Sequence, residues 1–167
     1  MQEAESTKKH LKKSEQIEVK IHEIKEQEFY CKDISDEHKS IITGDNIKIG
    51  FGVKFNTDPK QRALIIFFKT EYICDLNGEK CKLMAYELKV IFKIKNYREV
   101  VLNSDDDAPR IDENFLISML GVVIGTARGM ILVRTTGHFI NQYYLPILNP
   151  QALFDAIVKS KDSLESK

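Results

Sequence analysis

The sequence has no excess charge of either sign. Its 25 lysines and arginines are matched by 25 aspartates and glutamates, for a formal net charge of zero. A chain without a basic or acidic surplus has no general attraction to nucleic acid or to an anionic membrane. With 43% hydrophobic and 30% charged residues, its composition is that of a soluble globular protein. We therefore expect no nucleic-acid partner and no membrane insertion.

Cysteine and histidine are scarce, and their spacing argues against several kinds of site. The three cysteines, Cys31, Cys74 and Cys81, contain no Cys-x-x-Cys pair, which disfavours both a disulfide scaffold and a zinc site. No two of the four histidines lie three or four residues apart: they are His10, His22, His38 and His138. The best nucleophile candidates, Cys74 or Cys81 with a distant histidine, show no positional sign of activation. The sequence thus predicts a non-catalytic protein without metal or cofactor, in a reducing cytoplasm.

The chain has the length of one domain. Its 167 residues suffice for a single sizeable core. Residues 1–16 are polar, and no apolar stretch follows their lysines, so they do not resemble a secretory signal peptide; we predict a disordered, solvated arm. A single domain should span residues 17–160, and residues 161–167 should form a charged C-terminal tail.

The first half of the domain has the period of two that is typical of strands. In residues 47–56, apolar side chains alternate with lysines, glycines and asparagine. Further strands are predicted at about 62–74 and 82–95, separated by turns, so that these three form a meander. An earlier alternation at residues 17–31 slips phase at Ile24, which indicates a long first strand with a bend or bulge.

The turn between the last two strands has two possible registers. A two-residue Asn77-Gly78 turn would mix the apolar faces of the strands, whereas a three-residue loop with a left-handed glycine keeps them together. We prefer the longer, bulged loop and therefore expect no disulfide between Cys74 and Cys81. The preferred register sets three apolar pairs side by side: Leu64 with Phe92, Ile66 with Val90, and Phe68 with Leu88.

The second half of the domain changes to a helical period. Asp112 is placed to cap a helix that should run to about Thr135, before Gly137. Asn149 then caps a second helix, with Pro150 at its first position. The sequence therefore predicts an α+β fold, with a four-stranded antiparallel meander sheet followed by one long and one short helix.

The strand at 62–74 carries apolar side chains on both faces. Ile65, Phe67 and Ile73 alternate with a second apolar set that begins at Leu64. One helical layer cannot cover both faces, so either a second subunit supplies the other layer or one face stays partly open as an interaction surface. The alternative is a central strand that is buried on both sides within one subunit.

The one long hydrophobic run, residues 115–133, carries three glycines at helical spacing. Its apolar side chains contribute roughly −3 to −6 kcal/mol to membrane insertion, which Arg128, the glycines and the polar residues offset to about zero. Because no other segment could span a bilayer and the strands alternate like those of a soluble sheet, we interpret the run as a buried helix. Glycines four apart leave a bare stripe for close packing. We predict an oligomer interface at Gly121, Ile124, Gly125, Arg128 and Gly129.

Several motifs in the last third resemble the SecB protein-export chaperone family. They are Ala127-Arg128 in the long helix, Thr136-Gly137-His138-Phe139 after it, and the segment YLPILNPQALF, residues 144–154, which is similar to the family's P-V-N-F-D-A-L-F segment. The resemblance is collinear over about residues 17–160. It implies that both helices pack on one face of the sheet and that four subunits assemble as a dimer of dimers around the long helices. It also implies an ATP-independent chaperone that holds unfolded or pre-secretory polypeptides in apolar grooves.

The resemblance also implies where such clients would bind. Side chains of the connection after the long helix, and of the final helix, would line a groove: Phe139, Tyr143, Tyr144, Leu145, Ile147 and Phe154. Residues 96–111 would form its other wall. Ordinary packing under the helices is the alternative for the same side chains.

The C-terminus departs from the family pattern. Export members use acidic residues on the outer sheet face and a distinctive tail to bind the motor SecA, whereas residues 160–167 form a short charged tail without that pattern. A branch of the family instead holds the antitoxin of a toxin–antitoxin system, and the sequence does not separate the two roles. A different class of function is a non-catalytic adaptor that binds one folded partner through the apolar sheet face.

Overall fold

The computed structural model of the chain describes residues 17–76, 78–102 and 110–165. The predicted arm at 1–16 and the acidic turn at 105–107 lie outside the described residues. The helices and strands are β1 (Val19–Cys31), α1 (Asp36–Lys39), β2 (Ile47–Asp58), β3 (Ala63–Leu76), β4 (Glu79–Ile94), α2 (Tyr97–Val100), β5 (Val101–Leu102), β6 (Arg110–Ile111), α3 (Glu113–Arg134) and α4 (Pro150–Glu165).

The main sheet has four antiparallel strands. β2, β3 and β4 form the predicted meander, and β1 completes the sheet on the free edge of β4, in the order β1-β4-β3-β2. β1 and β2 are therefore its edge strands. A small ladder joins β5 to β6 just before α3. The predicted α+β class with a four-stranded antiparallel sheet is confirmed.

One face of the main sheet, called the inner face, holds the core. The register contains the three predicted apolar pairs, Leu64–Phe92, Ile66–Val90 and Phe68–Leu88. All six of these side chains are buried. α3 packs on β3 and β4, and α4 packs on α3, so the helical layer lies on this one side of the sheet.

The opposite face, called the outer face, is covered by none of the elements that the structure describes. It carries the alternate side chains of the same strands, among them Ile65, Phe67, Ile73 and Ile91, which are half-buried. The alternative of a strand buried on both sides within one subunit is therefore wrong. One face of the sheet is left partly open, because the helices form a single layer.

Two bulges explain the phase slip in β1. Its pairing with β4 shifts between Ile21 and Glu23, and again between Glu26 and Glu28. Each bulge inserts one residue, so the apolar side chains before and after it stay on the inner face. The predicted long, bulged first strand is confirmed.

The β3–β4 hairpin has the predicted strand register, but its turn differs from the predicted one. Leu76 pairs with Glu79, so the connection has two residues, and Cys74 lies opposite Cys81. The predicted three-residue loop is wrong in that respect. Both cysteines are nevertheless free, as predicted.

The extra residue of this hairpin is Leu83, inside β4. The register shifts there, next to the pair Tyr72–Met84. Because of the bulge, Leu83 and Met84 are both fully buried, and the Leu83 carbonyl accepts a hydrogen bond from the amide of Lys32 (2.8 Å). The bulge thus buries two consecutive apolar residues of β4. It also shifts the pairing of β3 and β4 by one residue, so that their apolar side chains share one face although the turn has only two residues.

Both long helices begin where the sequence predicts. The Asp112 carboxylate accepts a hydrogen bond from an amide in the first turn of α3 (2.8 Å), and the Asn149 side chain does the same for α4 (2.9 Å). Pro150 is the first residue of α4, which continues into the predicted tail as far as Glu165. After α3, Gly137 has φ of +85°, a left-handed conformation that glycine adopts without strain.

α3 is the one described helix that is long and apolar enough to cross a membrane. In this fold it lies against the sheet, with Leu120, Val123 and Ala127 fully buried. Contact with the sheet thus explains the apolar residues on one side of α3, while others, among them Val122 and Leu132, remain exposed.

Candidate polypeptide-binding surface

An apolar groove, called the client groove, lies between the β2 edge of the sheet and helices α3 and α4. It encloses about 290 Å³ and is lined by Phe55, Ile111, Leu116, Phe154 and Val158, among others. The rings of Phe55 and Phe154 are 6.1 Å apart, within the range of favourable aromatic pairs. The groove therefore offers aromatic and aliphatic contact area beside an edge strand.

Close contact between the two helices fixes one end of this groove. A Cβ atom placed on Gly121 would lie 3.5 Å from Cγ of Pro150. The Gln151 side-chain amide donates to the carboxylates of Asp155 (2.9 Å) and Glu113 (3.4 Å). Gly121 thus belongs to packing within the subunit, where it lets the first turn of α4 approach α3.

Half of the predicted client residues are engaged inside the subunit. Leu145 is buried, with 3% of its surface exposed. The Tyr143 hydroxyl donates a hydrogen bond to the carbonyl of Ile42 (2.9 Å), and the Phe139 ring packs on Tyr143 with centroids 5.7 Å apart. Leu145 thus lies in the core of the subunit, because the connection between α3 and α4 folds over it.

The other predicted client residues are accessible. Tyr144 is 68% exposed and Ile147 is 95% exposed. Phe154 is half-buried and lines the client groove. An aliphatic side chain as exposed as Ile147 gains nothing from folding, so its surface is available to a partner.

Two residues of the predicted oligomer interface contact other parts of their own subunit. Arg128 donates from Nε to the carbonyl of Leu145 (3.2 Å) and from Nη2 to that of Pro146 (2.7 Å). Ile124 is buried, with 3% of its surface exposed. Both therefore belong to packing within the subunit, because they lie on the sides of α3 that meet the sheet and the connection after the helix.

The remaining glycines are part of an exposed line along α3, called the α3 seam. Its members are spaced alternately by four and three residues: Ser118, Val122, Gly125, Gly129 and Leu132. All five are exposed. A Cβ atom on Gly125 or Gly129 would meet nothing within 4 Å. This spacing is that of the contact line between two packed helices.

A second uncovered apolar surface, called the β1 corner, consists of Val19, Ile21 and Ile24. They lie on the inner face, yet 36–46% of their surface is exposed, because α3 crosses β3 and β4 instead. An ion pair between Arg134 and Glu26 (3.0 Å) holds the last turn of α3 over the same strand. These residues could not be predicted from the sequence, since alternation gives the face of a side chain but not the position of the helix that covers it.

The cysteines lie in contrasting environments. Burial raises the pKa of the Cys74 thiol, whereas Cys81 is half-buried and its sulfur lies 3.0 Å from Nζ of Lys32. Among the residues that the structure describes, no group of three or more His, Cys, Asp or Glu side chains could hold a metal ion.

The structure resembles proteins of known structure at low sequence identity. One is a SecB-like chaperone from Mycobacterium tuberculosis, solved in complex with a peptide from an antitoxin: identity is 12%, the match covers 78% of this chain and 90% of that one, and the TM-score is 0.48. Another is a protein of unknown function from Streptococcus agalactiae, with 10% identity, 80% and 98% coverage, and a TM-score of 0.32. No protein-family model and no curated protein sequence matches the chain.

Proposed function

We propose that this chain is an ATP-independent chaperone that holds unfolded or pre-secretory polypeptides on the helix side of its sheet, in the cytoplasm. The observation that carries the proposal is the open client groove, together with the exposed Tyr144 and Ile147 on the segment that leads into α4. Unfolded chains present apolar side chains at irregular intervals, so they need adaptable apolar contact area more than a shaped pocket. The SecB-like motifs in the last third of the sequence support the same function.

We also propose that the protein is a homotetramer, arranged as a dimer of dimers. Two uncovered apolar surfaces support assembly: the α3 seam, which has room for another helix at Gly125 and Gly129, and the β1 corner. Exposed apolar patches on the same side of a small domain are typical of subunit interfaces. In this arrangement the α3 seams would meet at the centre, and the client grooves would lie towards the outside.

Two classes of client fit this proposal. In the first, the chaperone holds pre-secretory chains for the motor SecA; in the second, it holds the labile antitoxin of a toxin–antitoxin system. The resemblance to SecB proteins covers both branches and does not distinguish between them. Neighbouring genes for a toxin and its antitoxin, with protection of that antitoxin from proteolysis by the purified protein, would identify the second branch.

A refolding assay combined with a mass measurement tests the proposed function. An aggregation-prone protein is diluted from denaturant, with and without this protein and without ATP, and light scattering is recorded. We expect suppression of aggregation at subunit ratios near one, and a solution mass of four subunits. A monomeric mass together with unchanged aggregation would contradict both parts of the proposal.

Ile147→Asp tests the client surface without threatening the fold, because the side chain is 95% exposed. The loss of an apolar contact of this size should weaken client binding by about tenfold, as measured by the protein concentration that halves aggregation. The control is Tyr30→Asp, at a side chain 43% exposed on the outer face of β1, away from the client segment. Equal effects of the two substitutions would place client binding elsewhere.

A non-catalytic adaptor that binds one folded partner is the second candidate, favoured by the partly open outer face. It predicts saturable binding to a single native protein and no effect on the refolding of unrelated chains. The same light-scattering assay therefore separates the two functions.

A further inference from the structure

Charged side chains are unevenly distributed over the outer face of the sheet, although the chain as a whole has a formal net charge of zero. At the end of the sheet that holds the β2–β3 turn, five lysines surround an apolar centre. This basic patch consists of Lys20, Lys25, Lys54, Lys89 and Lys93. Its centre is formed by Ile65, Phe67 and Ile91, which neighbour one another across β3 and β4. Here lysines and half-buried apolar side chains occur side by side.

The lysines of the basic patch are poorly neutralised. Lys89 pairs with Glu23 (3.2 Å), and Lys93 donates to the side chain of Gln61 (2.8 Å). Lys20, Lys25 and Lys54 form no ion pair with any residue that the structure describes. At the other end of the face some charges are paired, for example Lys82 with Glu71 (2.9 Å).

Like charges also face each other across the strands of the patch. Lys20 lies directly opposite Lys93, and Lys25 lies directly opposite Lys89. Directly opposed like charges destabilise a sheet. Negative charge brought by a partner would remove this repulsion, so the arrangement favours an acidic ligand.

A depression beside Phe67 adds an apolar contact site. It encloses about 360 Å³ and is lined by Gly52, Lys54, Phe67, Lys69 and Glu87. Gly52 faces outwards on β2 and has no side chain to fill the space. A Cβ atom there would come no closer than 3.8 Å to a neighbour, Cβ of Lys69.

We propose that the basic patch docks an acidic segment of a partner protein, with an apolar side chain of that segment seated in the depression beside Phe67. Carboxylates of the segment pair with Lys25 and Lys54. Glu23 and Glu87 interrupt the positive surface, which suits separate carboxylates better than the continuous charge of a phosphate backbone. This surface lies on the side of the sheet opposite to the client groove and does not depend on the function proposed for that groove.

The test measures binding of a fluorescein-labelled peptide to the protein by fluorescence anisotropy. The peptide consists of alternating glutamate and glycine residues, with phenylalanine at two spaced positions. We expect binding that weakens as salt is added, since screening acts on exposed charges. Lys54→Glu and Lys25→Glu should each weaken it by about tenfold. Lys48→Glu is the matched control for Lys54, because both are exposed lysines on the outer face of β2, and it should change affinity by less than about twofold.

A second pair of variants tests the depression at constant charge. Gly52→Leu should fill it and weaken binding by about fivefold or more. Gly50→Leu is the control on the same strand and face, where an added Cβ atom meets nothing within 4 Å. Native circular dichroism spectra of both variants would show that the sheet is intact.

Four outcomes would overturn the proposal. They are no binding of the peptide to the unmodified protein, equal losses for Lys48→Glu and Lys54→Glu, equal losses for the two glycine variants, and equally tight binding of a peptide with lysine in place of glutamate. Tighter binding of single-stranded oligothymidylate through Lys25 and Lys54 would also overturn it, because the partner would then be a nucleic acid.

Discussion

At the scale of single residues, Arg128 joins the long helix to the chain that follows it. Its guanidinium donates to two carbonyls of the connection, those of Leu145 and Pro146. Hydrogen bonds from a charged donor contribute more than neutral ones. The residue therefore determines where the connection lies and, with it, the position of Ile147.

Arg128→Ala should lower the free energy of unfolding by about 2 kcal/mol, because it removes a partly buried hydrogen bond to Leu145 and an exposed one to Pro146. The urea midpoint measures this loss, and faster proteolysis within residues 143–149 would show that the connection has loosened. Arg134→Ala is the control, since its ion pair with Glu26 is half-exposed and should contribute less than about 1 kcal/mol. A larger loss for Arg134→Ala would contradict this account.

Tyr72 is the second residue with a specific consequence. Its side chain is fully buried, and its hydroxyl has no hydrogen-bond partner among the described residues. Burial raises the pKa of this phenol to about 12, against the weaker opposing effect of Arg128. The folded state therefore keeps the proton at pH values where the unfolded chain has already lost it. This contribution to stability is complete below about pH 10 and is lost as the pH rises from about 10 to 12.

Tyr72→Phe should leave stability at pH 8 unchanged or raise it by about 1 kcal/mol, because a buried hydroxyl without a partner is removed. It should also make the decrease in stability between pH 8 and pH 11 smaller. Urea midpoints at the two pH values measure both effects. Tyr86, whose pKa burial also raises to about 12, remains, so part of the decrease should persist. A Tyr72→Phe protein that is less stable at pH 8 would indicate that the hydroxyl is hydrogen-bonded after all.

At the scale of elements, α3 has two faces with different tasks. One face, with Leu120 and Val123, is buried on the sheet. The α3 seam lies outside and contains Gly125 and Gly129, which have open space around them. A helix that needed only to cover the sheet would gain stability from alanine at both positions. Their presence on the uncovered side supports the proposed contact with a helix of another subunit.

Gly125→Leu should therefore dissociate the proposed oligomer without unfolding the subunit. Within the subunit the new side chain meets nothing, and leucine favours the helix by about 0.8 kcal/mol over glycine. Sedimentation and a thermal melt should show a smaller mass with an intact or raised melting temperature. Ala156→Leu, at an exposed position of α4 and therefore outside the α3 seam, should leave the mass unchanged. An intact tetramer in Gly125→Leu would exclude the seam from the interface.

Features that depend on neighbouring residues could be predicted from the sequence. The caps at Asp112 and Asn149 act within one turn, and the strand register follows from keeping apolar side chains on one face. The burial of Leu145 and Ile124 could not be predicted, because it depends on how the connection and α3 cross the sheet. The β1 corner could not be predicted for the same reason: alternation set Val19 and Ile21 on one face of the strand but did not show whether a helix covers that face.

At the scale of the whole molecule, the sheet separates two surfaces of different character. The helix side carries the client groove and the β1 corner, which are mainly apolar. The outer face carries the basic patch. An apolar contact strengthens or stays constant when salt is added, whereas attraction between exposed charges is screened.

Raising the salt concentration from 0.05 to 0.5 M should therefore separate the two activities. Suppression of aggregation should be retained, while binding of the acidic peptide should weaken by at least about tenfold. Light scattering and anisotropy on the same protein preparation measure the two effects. A parallel loss of both activities would mean that one surface binds both ligands. Ile147→Asp would then also weaken binding of the acidic peptide.

The pairing of the first strand with the last has a consequence for synthesis on the ribosome. β1 ends at Cys31, but its partner strand is complete only at Ile94. If the chain is synthesised at roughly 5–20 residues per second, β1 has no partner strand for about 3 to 13 s after its own synthesis. During that time its apolar side chains are available to any neighbouring chain, whereas the β2–β3 hairpin can already form. A protein proposed to shield unfolded chains is thus itself in need of shielding at its N-terminal strand while it is being made.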